Sequence, residues 1–427
     1  MKIFILILFI CVYVLIIALP KYKAYITGGA ALISAVGCLI AGIMTFGEIF
    51  SAIDYNVVMM LLGIMLTVGL FTQSGMPNKL SDKLISKIPN ALVALVLLAV
   101  LSGLVSAFID NVATVLMLAP IGLAVAKKTG VSPVPVIISI AVSSNLQGAA
   151  TLVGDTTSIM LGGFANMSFF DFFFLDGKVS MFWAVEFGAL LTVPVLIFIF
   201  RKDSKKLIYY PEDIKVTTIV PTVLLILNIA LLVIFSFVRE KSELTNGIIC
   251  LAIGIAGLIY YVIKFKGDSF IQAVKSIDFE TVFFLLFLFV IIATVEKVGI
   301  INDISNLFVK VGNKNVFLLY TLIVFGSVLL SAFIDNIPYV ATMLPVIAGL
   351  CVGLPDVSPY LLYFGLLCGA TLGGNLTPVG ASANVVGIGI LRREGHEVKF
   401  KDFIRVGLPF TLFAVIGGYL LIWFVWG

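Results

Sequence analysis

From Ala91 to Ala126 the chain is apolar apart from Asp110 and Asn111, which stand near the centre of the run. The same pattern recurs from Val316 to Val352 around Asp335 and Asn336. Each pair closes the string Ser-Ala-Phe-Ile-Asp-Asn, at 106–111 and again at 331–336. Each run is too long for one crossing of roughly 20 residues, and a carboxylate at its centre is costly wherever lipid surrounds it. The pattern therefore predicts two half-helices that enter and leave on one side, with the polar pair at the tip. Non-helical backbone at membrane depth survives only inside protein or beside a water-filled cavity. Two such tips in matched positions predict a substrate or ion site where two repeats meet.

Composition places the rest of the chain in the same solvent. Hydrophobic residues make up 61%, charged residues 12%, and mean hydropathy is +1.19. A soluble domain would carry about 25% charge. The chain reads as an all-α polytopic membrane protein without a soluble domain. The net charge of +4 then says nothing of nucleic acid, and no nucleic-acid partner is expected. Cys11, Cys38, Cys250, Cys351 and Cys368 are scattered, and the lone His396 lies in a charged loop. Neither set has metal-ligand spacing. No phosphate-binding glycine loop with lysine is present, so ATP drive within the chain is not expected. The chain is read as a non-enzyme that needs no cofactor.

Ten crossing spans are predicted, five in each half. Met76 to Ile88, with Lys79, Lys83 and Lys87 spaced by four, predicts an amphipathic interfacial helix. Small polar residues at 143–151 and 154–158, and again at 373–378 and 380–384, predict an unwound segment in each half. Residues 1–200 form the first repeat, 201–215 a cytoplasmic linker loop, and 216–427 the second. Ile53-Asp54, Pro120, Asn145 and Gly154 all find partners in Ile277-Asp278, Pro345, Asn375 and Gly380. Five crossings is an odd number, so the second repeat is inverted. Twenty of the 27 lysines and arginines, Lys21, Lys23 and Lys205 among them, fall on one side of this arrangement. By the positive-inside rule that side is cytoplasmic and both termini are outside, in the cell membrane. Glu296-Lys297 reads as a local snorkelling pair.

The centre offers hard ligands. Asp110 and Asp335 can each hold a proton or a small cation. Around them stand neutral oxygens from Asn111, Ser143, Ser144, Asn145 and Thr151 in one half, and from Asn336, Asn375, Thr377, Ser382 and Asn384 in the other. Asp155 adds a third carboxylate whose aligned partner is Ala381. Carboxylate with amide and hydroxyl oxygens makes a hard-ion site. Sodium is expected at Asp110, Asn111, Asn145, Asp335, Asn336 and Asn375. A lone buried carboxylate that keeps its proton suits proton coupling equally well. A plainer role, capping a half-helix N-terminus, is open to both tips. Glu186 sits inside a span without a partner nearby in sequence.

Residues 331–338 resemble the hairpin motif of the arsenite permease and sodium/proton antiporter branch of the ion transporter superfamily. Residues 373–386 are similar to its second unwound motif and are closest to the pink-eyed dilution (P) proteins. Residues 145–158 resemble the partner motif, with Gln147 where its first paired glycine stands and Thr157-Ser158 in place of Pro-Asn. The resemblance implies a scaffold subdomain and a mobile transport subdomain carrying both hairpins, a homodimer, and an elevator-type movement. It implies a secondary active transporter that couples proton or sodium to a small ion. The expected cargo is arsenite or antimonite, with a separate ATPase subunit where arsenite is expelled, or sodium itself by sodium/proton antiport. Relatives that carry citrate or dicarboxylates have Ser-Asn-Thr at the tip, where this chain has Asp-Asn. A citrate-type carrier is the alternative, and an ion channel a further one.

Overall fold

The computed structural model describes residues 1–207, 214–238, 242–266, 269–312, 315–354 and 357–427. Residues 208–213 of the linker loop lie outside the described residues. The chain is helical, apart from one strand pair (Phe174–Leu175 with Lys178–Val179) among the described residues. The first half runs α1 (Lys2–Ala18), α2 (Lys23–Ile40), α3 (Phe46–Ser51), α4 (Tyr55–Gln73), α5 (Met76–Ile85), α6 (Ala91–Ser106), α7 (Asn111–Thr129), α8 (Pro133–Gly148), α9 (Thr156–Phe164) and α10 (Met181–Phe200). The second half repeats that order as α11 (Val220–Ser236), α12 (Thr245–Phe265), α13 (Ser269–Val274), α14 (Phe279–Lys297), α15 (Ile300–Gly312), α16 (Val316–Ser331), α17 (Asn336–Val352), α18 (Pro359–Gly373), α19 (Ser382–Arg393) and α20 (Phe400–Trp426).

Seven of these helices are long and apolar enough to cross a bilayer: α2, α4, α7, α10, α12, α14 and α20. α1 and α11 reach 17 residues, roughly 25 Å at 1.5 Å per residue. α8 with α9, and α18 with α19, are each one path broken near the middle. α7 meets the length criterion without crossing, because α6 and α7 are the two arms of a hairpin. The Ala91 N–H donates to the Lys205 carbonyl at 2.9 Å, and Lys205 Nζ reaches the Thr129 carbonyl at 3.5 Å. One residue thus touches both ends of the hairpin, so both lie on one side. Asn90 and Asn315 cap the entering arms, each accepting from a backbone N–H three residues on.

The packing exchanges equivalent helices between halves. α2 lies on α14, and its counterpart α12 lies on α4. Water-driven burial does not hold such helices together in lipid; close backbone approach does. At the α4–α12 crossing a Cβ on Gly63 would stand 2.1 Å from the Cys250 carbonyl carbon, so only glycine permits that contact. α10 packs on α20, and these two join both hairpins and both broken helices in a second group.

Three details differ from the sequence expectation. The short helices α3 and α13, and the amphipathic α15, were not foreseen. Lys297 does not pair locally with Glu296 but reaches Glu48 on α3 at 2.7 Å. That ammonium and the Thr45 N–H hold the Glu48 carboxyl at about 2, well below the ordinary carboxylate range. The breaks are also shorter than expected: α8 stays helical through Gly148, so Ser143, Ser144 and Asn145 are helical residues. Ser144 finds its partners on the neighbouring hairpin and Asn145 on the broken helix of the other half, and the backbone has no need to unwind there.

Candidate functional site

Each hairpin tip is tied to the break of its own broken helix, and the two ties match. Ser106 Oγ donates to Asn111 Oδ1 at 2.7 Å, and Ser331 Oγ donates to Asn336 Oδ1. Thr151 Oγ1 donates to the Ala107 carbonyl, as Thr377 Oγ1 does to the Ala332 carbonyl. Gly154 and Gly380 sit where break meets tip. A Cβ on Gly154 would fall 2.7 Å from the Gly148 oxygen and 3.1 Å from the Ala107 oxygen. On Gly380 the distances are 2.6 Å to the Gly374 oxygen and 2.8 Å to the Ala332 oxygen. The pairing of these glycines in sequence therefore marks one contact made twice.

At both tips the aspartate is a helix N-cap. Asp110 Oδ2 accepts from the N–H groups of Val112 and Ala113 at 3.0 and 3.1 Å. Asp335 Oδ1 accepts from the Ile337 N–H at 3.2 Å. Asp155 caps α9, accepting from the Thr156 N–H at 2.7 Å and from Thr157 Oγ1 at 3.1 Å. The capping role and a place at the site coexist, because all three carboxylates line one cavity of about 440 Å³. Asn111, Asn145, Asn336 and Ser382 line it as well.

The other expected site residues stand behind this wall. Ser144 Oγ donates to Ser106 Oγ and to the Asn111 carbonyl at 2.9 and 3.1 Å. Asn145 Nδ2 donates to Asn375 Oδ1 at 2.9 Å and to Asn384 Oδ1 at 3.1 Å. Asn375 Nδ2 returns to the Val142 carbonyl, and Asn384 Nδ2 reaches the carbonyls of Gly374 and Thr377. Asn145, Asn375 and Asn384 thus form a buried amide knot between the two broken helices. Ser143 faces a smaller cavity behind α8.

Two charged residues of the cavity were missed. Lys23, counted above among the charges of the basic face, sends Nζ to within 3.4 Å of Asp335 Oδ2. Its side chain is 16% exposed. Asp278 caps α14, accepting from the Thr281 N–H at 3.1 Å, and also lines the cavity. Its match with Asp54 in the sequence repeat was the available signal, but that match fits a cap and does not separate it from a ligand. Among the described residues Asp110 forms no ion pair. The cavity therefore carries four carboxylates and one ammonium. It lies between the crossed group of α2, α4 and α14 and the group bearing the hairpins.

A model of the citrate transporter family (CitMHS) matches residues 11–362 and again 237–427. A 46 kDa membrane protein of Mycobacterium leprae is 31% identical, over 97% of this chain and 96% of its own length. The human P protein is 25% identical over 96% of this chain and 58% of its own. The likeness to P proteins read from the motifs is thus found over the whole chain. The solved YdaH transporter of Alcanivorax borkumensis shares the fold, with a TM-score of 0.60 at 16% identity, over 88% of this chain and 86% of that one. With the family model spanning nearly the full length, the protein is a membrane transporter and belongs to the citrate transporter (CitMHS) family.

Proposed function

We propose that the protein is a secondary active transporter that couples proton or sodium movement to a small ion by alternating access. The observation that carries this reading is the cavity itself. Four carboxylates against one ammonium attract cations, and a field of one sign in a low-dielectric cleft concentrates the opposite charge. Sodium/proton antiport fits such a lining directly. An arsenite- or antimonite-like cargo, for which the motif resemblance speaks, enters as a neutral hydroxide. A citrate-type anion, favoured by the family match, enters this lining only together with cations that neutralise it. Sodium finds carboxylate and amide oxygens at Asp110, Asn111, Asn145, Asp335 and Asn336, while Asn375 supports Asn145 from behind.

The membrane orientation follows the charge. Lys23 at the start of α2, Gln73 at the end of α4 and Ser276 before α14 all line the cavity. These ends lie on the lysine-rich face, so the site opens to the cytoplasm and both termini face outside. Movement of the hairpin group against the crossed helices would carry the site to the other face, in an elevator manner within a homodimer. An impermeant thiol reagent on intact cells should leave Ser204→Cys unlabelled; strong labelling would reverse the orientation. Ser204 is exposed, and its hydroxyl only accepts from Asn90.

The decisive experiment is flux in proteoliposomes with imposed proton or sodium gradients, offered sodium, arsenite, and citrate with and without a divalent cation. The expected result is cation-dependent flux that collapses when both gradients are abolished. Citrate uptake indifferent to every cation would sink the acidic-site reading, and flux at channel rates without coupling would make the protein a channel.

A further inference from the structure

Behind the break in the first half lies a second cavity, of about 80 Å³. It is an open cleft lined by α6, α8 and α10, with Phe410 of α20 at one side. Its polar lining is Ser143, Gln147, Glu186 and Thr192; the remaining lining residues, from α6, α8, α10 and α20, are apolar or glycine. Among the described residues Glu186 is therefore the only titratable group that faces this space. The Gln147 side chain is its polar neighbour in this space. Even so, one oxygen of each, Glu186 Oε1 and Gln147 Oε1, is buried without any partner. Gln147 is 3% exposed, so bulk water does not relieve it.

Two unpartnered acceptors beside each other, with no cationic side chain among the described residues of the lining, are a costly arrangement. A single proton removes both deficits. A neutral carboxyl donates through its O–H to the amide oxygen, while the amide N–H₂ donates to the other carboxyl oxygen. The two groups then close a reciprocal acid–amide pair in which both stranded oxygens are satisfied. The room for this pair is built in: a Cβ on Gly103 would stand 2.9 Å from Gln147 Cγ. The glutamine is also the departure noted in the partner motif, where a glycine is usual and no amide would be available.

We propose that Glu186 and Gln147 form a second proton-binding site, occupied when the Glu186 carboxyl pairs reciprocally with the Gln147 amide. It stands one residue behind the main cavity. Gly148, next to Gln147, is so close to Asn111 and Asp155 that a Cβ there would meet both at 3.0 Å. Occupancy of the second site fixes the end of α8 against which Asn111 and Asp155 rest. The inference holds whatever the cargo is, and its test involves no transport.

The test is infrared difference spectroscopy of the full-length protein in lipid nanodiscs, titrated from acid to alkaline pH with and without sodium. Wild type is expected to show a hydrogen-bonded carboxylic-acid carbonyl band at neutral pH that Glu186→Gln abolishes. Gln147→Leu keeps the carboxyl but removes its partner, and should move the band to the higher frequency of an unbonded acid. Identical spectra for wild type and Glu186→Gln would overturn the proposal. So would loss of the band on adding sodium at constant pH, which would make this a metal-cation site. Should Glu186→Gln not fold, an unmoved band in Gln147→Leu is enough to overturn it.

Discussion

Asp110→Asn is expected to lower gradient-driven flux by at least about 100-fold, which corresponds to about 2.7 kcal/mol. That is the size of a lost interaction with a charged group, about 1.5–3 kcal/mol. The fold should survive, because asparagine caps a helix as well as aspartate does and can still accept from the Val112 and Ala113 N–H groups. What disappears is the charge that a proton or sodium ion would meet. The opposite tip behaves differently. Asp335 already has a cation, the Lys23 ammonium 3.4 Å away on another helix. Asp335→Asn strips the partner from a poorly exposed ammonium and should also impair flux. In this case Lys23→Gln on top of Asp335→Asn should recover part of the loss, whereas Lys23→Gln should recover nothing for Asp110→Asn. Flux in proteoliposomes, normalised to folded protein, measures all four variants. Wild-type gradient dependence in Asp110→Asn would reduce that carboxylate to a cap, and the ion-site assignment at the first tip would have to be dropped.

The difference between the tips shows what the sequence could and could not disclose. The hairpins were legible because a long apolar run tolerates a buried Asp-Asn pair in few settings besides a re-entrant tip, and because the pair occurs twice. The contacts of Gly154 and Gly380 were legible in outline, since glycine at a matched break signals close backbone approach. Lys23 was not legible. It follows Pro20-Lys21-Tyr22 at the end of a span, where basic residues ordinarily face the cytoplasm, and its partner is 312 positions away. Ser143 and Ser144 misled for a related reason. A cluster of small polar residues predicts unwinding when nothing nearby can bond their hydroxyls. Here the Ser106 hydroxyl and the Asn111 carbonyl take up Ser144, and the helix continues to Gly148. In each case the deciding group came from another part of the chain.

Asn375→Leu is expected to destabilise the protein by about 1–3 kcal/mol, the cost of leaving a buried polar group unpaired. Asn375 is fully buried and does not line the main cavity, so its loss reads as stability before it reads as binding. Leucine keeps much of the volume but removes two bonds: the one accepted from Asn145 Nδ2 and the one donated to the Val142 carbonyl. Single hydrogen bonds in helical membrane proteins average only about 0.6 kcal/mol, because the unfolded chain in the bilayer finds other partners. A larger effect is expected here because Asn145 Nδ2 serves Asn375 and Asn384 together, and groups in such a knot do not act independently. The measurement is a double-mutant cycle with Asn145→Leu, read by thermal or denaturant unfolding in one detergent. Either single change strands an amide in the interior. Both together remove the stranded pair and leave only Asn384 short of a partner. The double variant should therefore be less destabilised than the sum of the singles, with a coupling inside the range of about 0.5–3 kcal/mol found for residues in one network. Simple additivity would show that the knot is two unrelated contacts, and that the broken helices are joined across the repeats by apolar packing alone.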